Sequence, residues 1–540
     1  MKELFINANV ITVDDDNPRA EAFVVEDGMF VFVGSNEEAE NAAGEDCRVT
    51  DLKGLTVVPG FNDSHMHLLN FAFHRTKINL YGTSSIDEII DISKRWINER
   101  KPADGQWILA AGWNHYDFKE GRMLNASDLD KICSDKPMLF TRCCEHTVCV
   151  NSKAMEIIGI TDETPDPESG IIERDEEGHA TGILKEGARY LAYGQLPDKS
   201  VEEIKEMLID GMSYLSSCGV TSVQPDDFET FSSKNWRNVI QAYKELEAEG
   251  KMTVRVYEQC LLPEMGRFNE FLQAGYKTGV GSDVFKIGPL KLLCDGSLGP
   301  RTSYLREDYS DDPGNRGINV FEQDELNELC LTAHKNGMHV VCHAIGDATC
   351  DMVLTAFEYA QKNCPIKDHR DGIIHVQMSP KDILDRMLKD NVISYVQPIF
   401  VNSDLHMADG RLGERVKDAY KFRTMNEIGL RVPLSSDCPV ESCNPIDSAY
   451  VAVTRKDLNG YPEGGWHTEE ALTIEQVIKG FTIDGAYAQF MENIKGSIEQ
   501  DKYADFVVLT KDITQVDPED ILTIKAAATY MGGSCVYTLD

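Results

Sequence analysis

No stretch of this chain is apolar for eighteen consecutive residues, and the segment Met1 to Val10 has neither a long apolar run nor a small-residue cleavage site. A spanning helix needs roughly 20 apolar residues, so the expectation is a cytoplasmic protein without a helical membrane segment or a secretory leader. Basic side chains are scarce too: 53 lysines and arginines stand against 90 aspartates and glutamates, a formal charge of −37. That field repels nucleic-acid phosphates and anionic lipid, which leaves a small-molecule substrate as the expected partner, with no nucleic acid and no membrane. The acidic excess selects no particular substrate. Paired cysteine spacing is the third absence. The fifteen cysteines are scattered, only Cys143-Cys144 are adjacent, and no CxxC pattern occurs. Reduced thiols acting as small buried hydrophobes are expected, and a thiolate zinc site is not.

What is present begins with size. At 540 residues the chain can build a barrel-sized core and at least one further domain. Short β-rich runs at Leu4 to Val13, Ala22 to Val25, Phe30 to Val33, Val49 to Leu52 and Thr56 to Val58 match in style Ala504 to Leu509 and Ala526 to Leu539. A small β-sandwich built from both termini, residues 1–57 plus 496–540, would explain both ends. Between them, over 58–495, strand-like runs alternate with helical patterns at Glu202 to Cys218, Trp236 to Glu249, Glu322 to Asn336, Ala348 to Asn363 and Pro380 to Asp390. This α/β rhythm predicts a (β/α)8 TIM-type barrel with strands ending near His67, Asp226, Cys260, Cys294, His343, Gln377, Pro398 and Asp437. About 150 residues separate the first two strands, far more than a βα connection needs, so 83–200 reads as a large insertion after barrel strand 1.

Residues with metal-ligand chemistry recur at these strand ends. Val57-Val58-Pro59-Gly60-Phe61-Asn62-Asp63-Ser64-His65-Met66-His67 places His65 and His67 on one face of a strand, because residues i and i+2 project together. Lys291, His343, His375 and Asp437 close four later runs. His339 is discounted: it begins the strand that His343 ends, roughly 13 Å below the mouth. Lys286 faces away from Lys291 and lies farther from the strand end. An ammonium beside a dication is repelled, so Lys291 serves only when neutral. Burial favours that form, and a neutral amine adds carbon dioxide to give a carbamate that bridges two metals. Asp437 either caps a following helix or acts as ligand and general base; its position at the eighth strand end favours the second reading. The set reads as a two-metal hydrolytic site. A histidine and carboxylate set without thiolates suits zinc, with manganese or iron as alternatives.

Several of these stretches resemble a known family. Val58-Pro59-Gly60-Phe61-Asn62-Asp63-Ser64-His65-Met66-His67 is similar to the first-strand signature of the amidohydrolase superfamily. Lys291 to Thr302, His343-Ala344-Ile345-Gly346-Asp347, Ser436-Asp437-Cys438-Pro439-Val440, Gly496 to Glu499 and Lys502 to Leu509 resemble its YtcJ-like branch of metal-dependent hydrolases, which includes N-substituted formamide deformylase. Gln500-Asp501 departs from the Gly-Lys turn usual there. The resemblance implies hydrolysis of a non-peptide C–N bond. It assigns His65, His67 and Asp437 to a first metal, His343 and His375 to a second, and carbamylated Lys291 to the bridge. It also implies a homodimer. In the expected mechanism a hydroxide bridging two divalent ions attacks the carbonyl, and Asp437 moves the proton to the leaving amine.

Specificity is expected outside the metal shell. His146, in Arg142-Cys143-Cys144-Glu145-His146, is a candidate substrate or oxyanion contact, and Trp113 a candidate apolar wall; both could equally pack the insertion's own core. Gln397 and Arg301 are similar candidates, with a surface salt bridge as the alternative for Arg301. Two other functions stay open: a mononuclear deaminase of the same superfamily, and a catalytically silent metal-binding scaffold.

Overall fold

The computed structural model describes residues 2–144, 146–167 and 169–539; Glu145, in the Arg142 to His146 motif, lies outside them. The chain divides into two compact units. One comprises Met1–Asn70, Ile204–Thr230 and Lys234–Asp540, and the other Phe71–Glu203 with Phe231–Ser233.

The first unit is dominated by parallel strands paired in chain order: Phe61–Met66, Val220–Pro225, Arg255–Leu261, Phe285–Leu293, Val340–Ala344, Gly372–His375 and Ile393–Tyr395. Most of their residues are buried on both faces, as in a barrel jacketed by helices. The five helices expected between strands are Val201–Ser217, Trp236–Ala248, Gln323–Lys335, Asp347–Asn363 and Lys381–Lys389, each end within one residue of its expected place.

The eighth strand differs from expectation. The segment reaching Asp437 is extended but not a regular strand, and it spans the gap between Ile393–Tyr395 and Phe61–Met66. Ser435 N donates to Val396 O on one side (3.0 Å), while Leu434 O accepts from Ser64 N (3.1 Å) and His65 O from Asp437 N (2.9 Å) on the other. Pro433 has no N–H to give, and Leu434 N turns away to Gly480 O (3.1 Å), so the ladder is interrupted. Asp63 supplies an additional clamp across this seam: its carboxylate accepts from Ser436 N (3.0 Å) and the Ser436 hydroxyl. Burial pushes the Asp63 carboxyl up to about 7, against the opposing pull of Ser436.

Two further sheets complete this unit. Met29–Gly34, Ala22–Glu26, Lys2–Ile6 and Cys47–Asp51 form one. In the other, Phe506–Leu509 pairs antiparallel with Thr56–Pro59, bringing distant parts of the chain into one sheet. Their facing sides share Phe5, Phe23, Phe30, Val57 and Phe506, with the Phe5 and Phe23 rings stacked at 4.8 Å. The run Leu4 to Val13 is not continuous: it breaks at Asn7, whose φ of 55 redirects the chain between Lys2–Ile6 and Asn9–Ile11. A buried bidentate pair, Arg255 Nε and Nη2 to Asp505 (2.7 and 3.0 Å), fastens a barrel strand to the segment entering that sheet.

Beside that pair, Lys495 is fully enclosed with its amine against the Ser222 hydroxyl. Burial draws its pKa from 10.5 down to about 7. The unfolded chain therefore holds a proton that the folded chain lacks between those values, so stability gained from this group rises as pH rises from about 7 towards 10.5. Lys495→Met is expected to raise the melting temperature at pH 7 and to raise it less at pH 10. An equal shift at both values would place Lys495 as a charged group in the fold.

The second unit holds a six-stranded sheet in the order Gly170–Arg174, Ala180–Glu186, Thr147–Val150, Met138–Arg142, Ile108–Trp113, Ile78–Asn79. Its core includes Ile89, Leu124, Phe140 and Trp113. Among the described residues no helix is long and apolar enough to cross a membrane.

Candidate metal centre

Strand pleating aims alternate side chains of Phe61–Met66 inward, so Asp63 binds the closing segment and His65 lies deeper in the barrel than His67. His65 Nε2 and His67 Nε2 lie 3.2 and 3.1 Å from Asp437 Oδ1. The ligand atoms of these three residues all fall within 4.8 Å of one another. Lys291 enters from the fourth strand, completely buried, with Nζ 3.2 Å from His65 Nε2. Lys286 instead pairs with Asp283 (2.9 Å). From the next two strands, the His343 and His375 rings meet at 4.4 Å between centroids, and His375 is 5.9 Å from His65. All six residues singled out as ligands thus converge at one end of the barrel. His339 lies at the other end, its Nδ1 accepting from Arg370 N (3.2 Å).

Backbone conformation contributes to the aim. His375 (φ 81) and Asp437 (φ 58) both occupy the left-handed region, which costs a non-glycine residue of order 1 kcal/mol or more and recurs where a site holds a side chain in place.

Four residues around these side chains were not singled out as site residues from sequence. Asp226, at the end of the second strand, contacts His67 Nδ1 and lies 3.7 Å from Lys291 Nζ. Gln259 Oε1 lies 2.9 Å from His65 Nδ1 and its amide donates to Ser64 O (3.1 Å), which holds the ring with Nε2 towards Asp437. Asp295 Oδ1 lies 3.2 Å from His343 Nε2 and accepts from Ile345 N (3.1 Å), tying the turn after the fifth strand to the fourth. Ser435 holds Gln397 Nε2 (2.8 Å). Asp226 carried a usable signal, since it ends a barrel strand as the histidines do. Gln259 carried none, because a glutamine inside a strand has no distinctive chemistry until its partner is known.

Electrostatics follow from enclosure. Burial, reinforced by Lys291, pushes His65 below its ordinary value. Burial likewise draws the Lys291 amine down, opposed by Asp226 and Asp437. Burial works against charge on Asp437 too, yet the His65 and His67 imidazoles outweigh it and hold that carboxyl well below the usual carboxylate range. Asp437 Oδ1 and Asp226 Oδ2 are buried without an aligned hydrogen-bond donor, Asp226 Oδ1 being taken up by its contact with His67 Nδ1. Buried carboxylate oxygens left open, facing imidazole nitrogens, suit a divalent cation, and the nitrogen and oxygen donors fit one.

The four residues considered for substrate contact have other surroundings. Gln397 is buried, and its Oε1 takes the His375 Nδ1 proton (2.8 Å); its amide is committed to the protein, so it positions His375 and does not reach for substrate. Arg301 forms a bidentate pair with Asp311 (2.9 and 3.0 Å), which Arg411 also engages, so the salt-bridge alternative is the one realised. Trp113 is fully buried in the core of the second unit and donates Nε1–H to Phe140 O (2.9 Å), which makes it a core residue. His146 is exposed and pairs with Glu186 Oε2 (3.1 Å). The Asn151-Ser152-Lys153-Ala154 stretch beyond it is a helix start, with Asn151 Oδ1 accepting from Ala154 N (3.0 Å).

Asp226 occupies the place of a carboxylate that orients a ligating imidazole. Asp226→Asn is therefore expected to weaken metal affinity about 10- to 100-fold, measured by competition with a chelator. Unchanged affinity would leave His67 oriented by its backbone alone.

The model of the Amidohydrolase family matches residues 48–537. YtcJ of Bacillus subtilis (strain 168) is 30% identical over 99% of both chains. N-substituted formamide deformylase of Arthrobacter pascens is 27% identical, covering 99% of this chain and 98% of that one. A solved structure described as an uncharacterized metal-dependent hydrolase from Pyrococcus furiosus is similar with a TM-score of 0.79 at 27% identity, covering 95% of this chain and 100% of that one.

Proposed function

Because this chain belongs to the amidohydrolase family, we propose that it hydrolyses a non-peptide C–N bond of the amide or formamide type. The observation that carries the reading is the convergence of His65, His67, Lys291, His343, His375 and Asp437, with carboxylate oxygens left open among them. The formamide type is supported by the deformylase relative. His65, His67 and Asp437 would hold one divalent ion and His343 and His375 a second, with zinc favoured by the donor set and Lys291 shared between them as its carbamate. Metal at such a site supplies Lewis acidity, which polarises a scissile carbonyl and makes a bound water acidic.

The remaining work falls to the chain. Burial shifts the Lys291 amine towards its neutral form, against the pull of Asp226 and Asp437, and that form can add carbon dioxide. Gln259 and Gln397 keep the protons of His65 and His375 on Nδ1, so Nε2 of each presents its lone pair. Asp437, ionised in this environment, accepts a proton on its carboxylate from the attacking water and delivers it to the leaving nitrogen, which makes the amine a competent leaving group.

Metal analysis of protein purified without chelators, paired with turnover of N-formyl and N-acyl amines, tests the reading. About two equivalents per chain with amine release would support it. One equivalent with ammonia released from an amino-substituted ring would identify a deaminase instead, and neither metal nor turnover after reconstitution would leave a scaffold.

A further inference from the structure

The fourth barrel strand, Phe285–Leu293, is buried or nearly so along its length, and only its final residue is exposed. Lys291 and Leu293 lie two apart and so share a face. The register with the fifth strand repeats the pairing, Lys291 beside Val341 and Leu293 beside His343. Leu290 and Leu292 take the opposite face and are fully enclosed. Leu293 therefore projects to the inside of the barrel, one layer above the Lys291 amine and level with a histidine of the metal centre. It is 39% exposed there.

A leucine exposed on an outer surface needs no explanation. This one stands among metal donors at the strand ends, where a barrel of this type takes up its substrate. A second apolar side chain flanks the same donors. Phe400, in the turn Pro398–Phe400 after the seventh strand, lies flat on the His375 ring, with 5.6 Å between centroids and 17° between planes. His375 in turn meets His343 at 4.4 Å. The histidine pair is thus bordered by Leu293 on one side and by Phe400 on the other. An anionic group would gain little here, since Arg301, on the loop beyond Leu293, is taken up by Asp311 and the nearby carboxylates of Asp226 and Asp437 repel it. An apolar group laid on Leu293 removes its own surface and that of the leucine from water together.

Resting on the hydrolase reading above, we infer that Leu293, with Phe400, is the specificity-determining surface of this site, and that the substrate carries an uncharged, apolar substituent beside its scissile bond. The donors would hold the reacting group, and Leu293 would choose among substrates by what that group carries.

Alkylhydroxamates bind divalent ions through two oxygens, so they read this surface without turnover. Calorimetric titration of the metal-loaded protein with acetohydroxamate, hexanohydroxamate and 6-aminohexanohydroxamate tests the assignment. Hexanohydroxamate is expected to bind tighter than acetohydroxamate by about tenfold or more, the worth of two or more buried methylenes, and the ammonium-ended chain is expected to lack that gain. Leu293→Ser is expected to cut the hexano-to-aceto ratio by about tenfold. Equal affinities in the wild type, a gain shared by the ammonium-ended chain, or an undiminished ratio in Leu293→Ser would each overturn it. The first two comparisons use wild-type protein, so they decide even if the variant fails to fold. Amine release by the same preparation separates this inference from the reading beneath it. Release of amine without chain-length discrimination overturns the inference alone. Discrimination that is lost in Leu293→Ser, without amine release, overturns the hydrolase reading and keeps the apolar surface.

Discussion

Asp437→Asn is expected to lower kcat by about 10²- to 10⁴-fold, the usual worth of a positioned general base, while the folded structure survives. The substitution keeps the shape of the side chain and its carbonyl oxygen but removes the proton acceptor. Structural damage should be small because the Asp437 backbone, whose N–H donates to His65 O (2.9 Å), continues to close the barrel. Asparagine also tolerates the left-handed conformation that φ 58 requires, better than most residues. Steady-state kinetics with a melting curve and a metal assay separate the possibilities. Lost turnover with retained metal and melting temperature identifies the proton-transfer role. Unchanged turnover removes it, and loss of metal together with turnover would make Asp437 principally a ligand.

For Lys291→Ala, the expected result is a fall in bound metal from about two equivalents per chain to about one, with turnover falling alongside, because a bridging group between two ions is removed. The amine lies 3.2 Å from His65 Nε2 and 3.7 Å from Asp226 Oδ2, in the middle of the donor set. Truncation opens a buried space the size of the lysine stem next to those donors. Added acetate, a small carboxylate able to enter that space, is expected to restore part of both metal content and activity. If Lys291 only neutralises Asp226 and Asp437, acetate should worsen binding by adding a third negative charge, and two equivalents of metal should remain. The acetate response therefore distinguishes a bridge from a counter-ion.

The convergence of the six candidate side chains was readable along the chain because they sit at ends of strands whose hydrophobic runs are continuous and local. The spacing of His65 and His67 is a property of one strand, and His343 and His375 end two more. Choosing Lys291 over Lys286 rested on strand alternation, and the two side chains do lie in different surroundings. Substrate contacts were less readable. Gln397 and Arg301 looked available by residue type, but each has a partner that no spacing indicates: His375 for one and Asp311 for the other. The eighth strand was located correctly yet mistaken for a regular one, since the break at Pro433 and the diversion of Leu434 to Gly480 depend on a helix end that arrives later in the chain.

Residue order alone determined the class of fold, the strand ends and the types of donor gathered there, because pleating and hydrophobic period act over a few neighbouring residues. Tertiary structure decided which imidazole nitrogen faces inward, which carboxylates stay open and which polar side chains are already spent. Gln259 meets His65 across 194 positions and Ser436 meets Asp63 across 373, contacts that exist only once the barrel closes. Closure also removes the water that would otherwise solvate these groups, so the protonation of Lys291, His65 and Asp437 is set by enclosure and by neighbours distant in sequence.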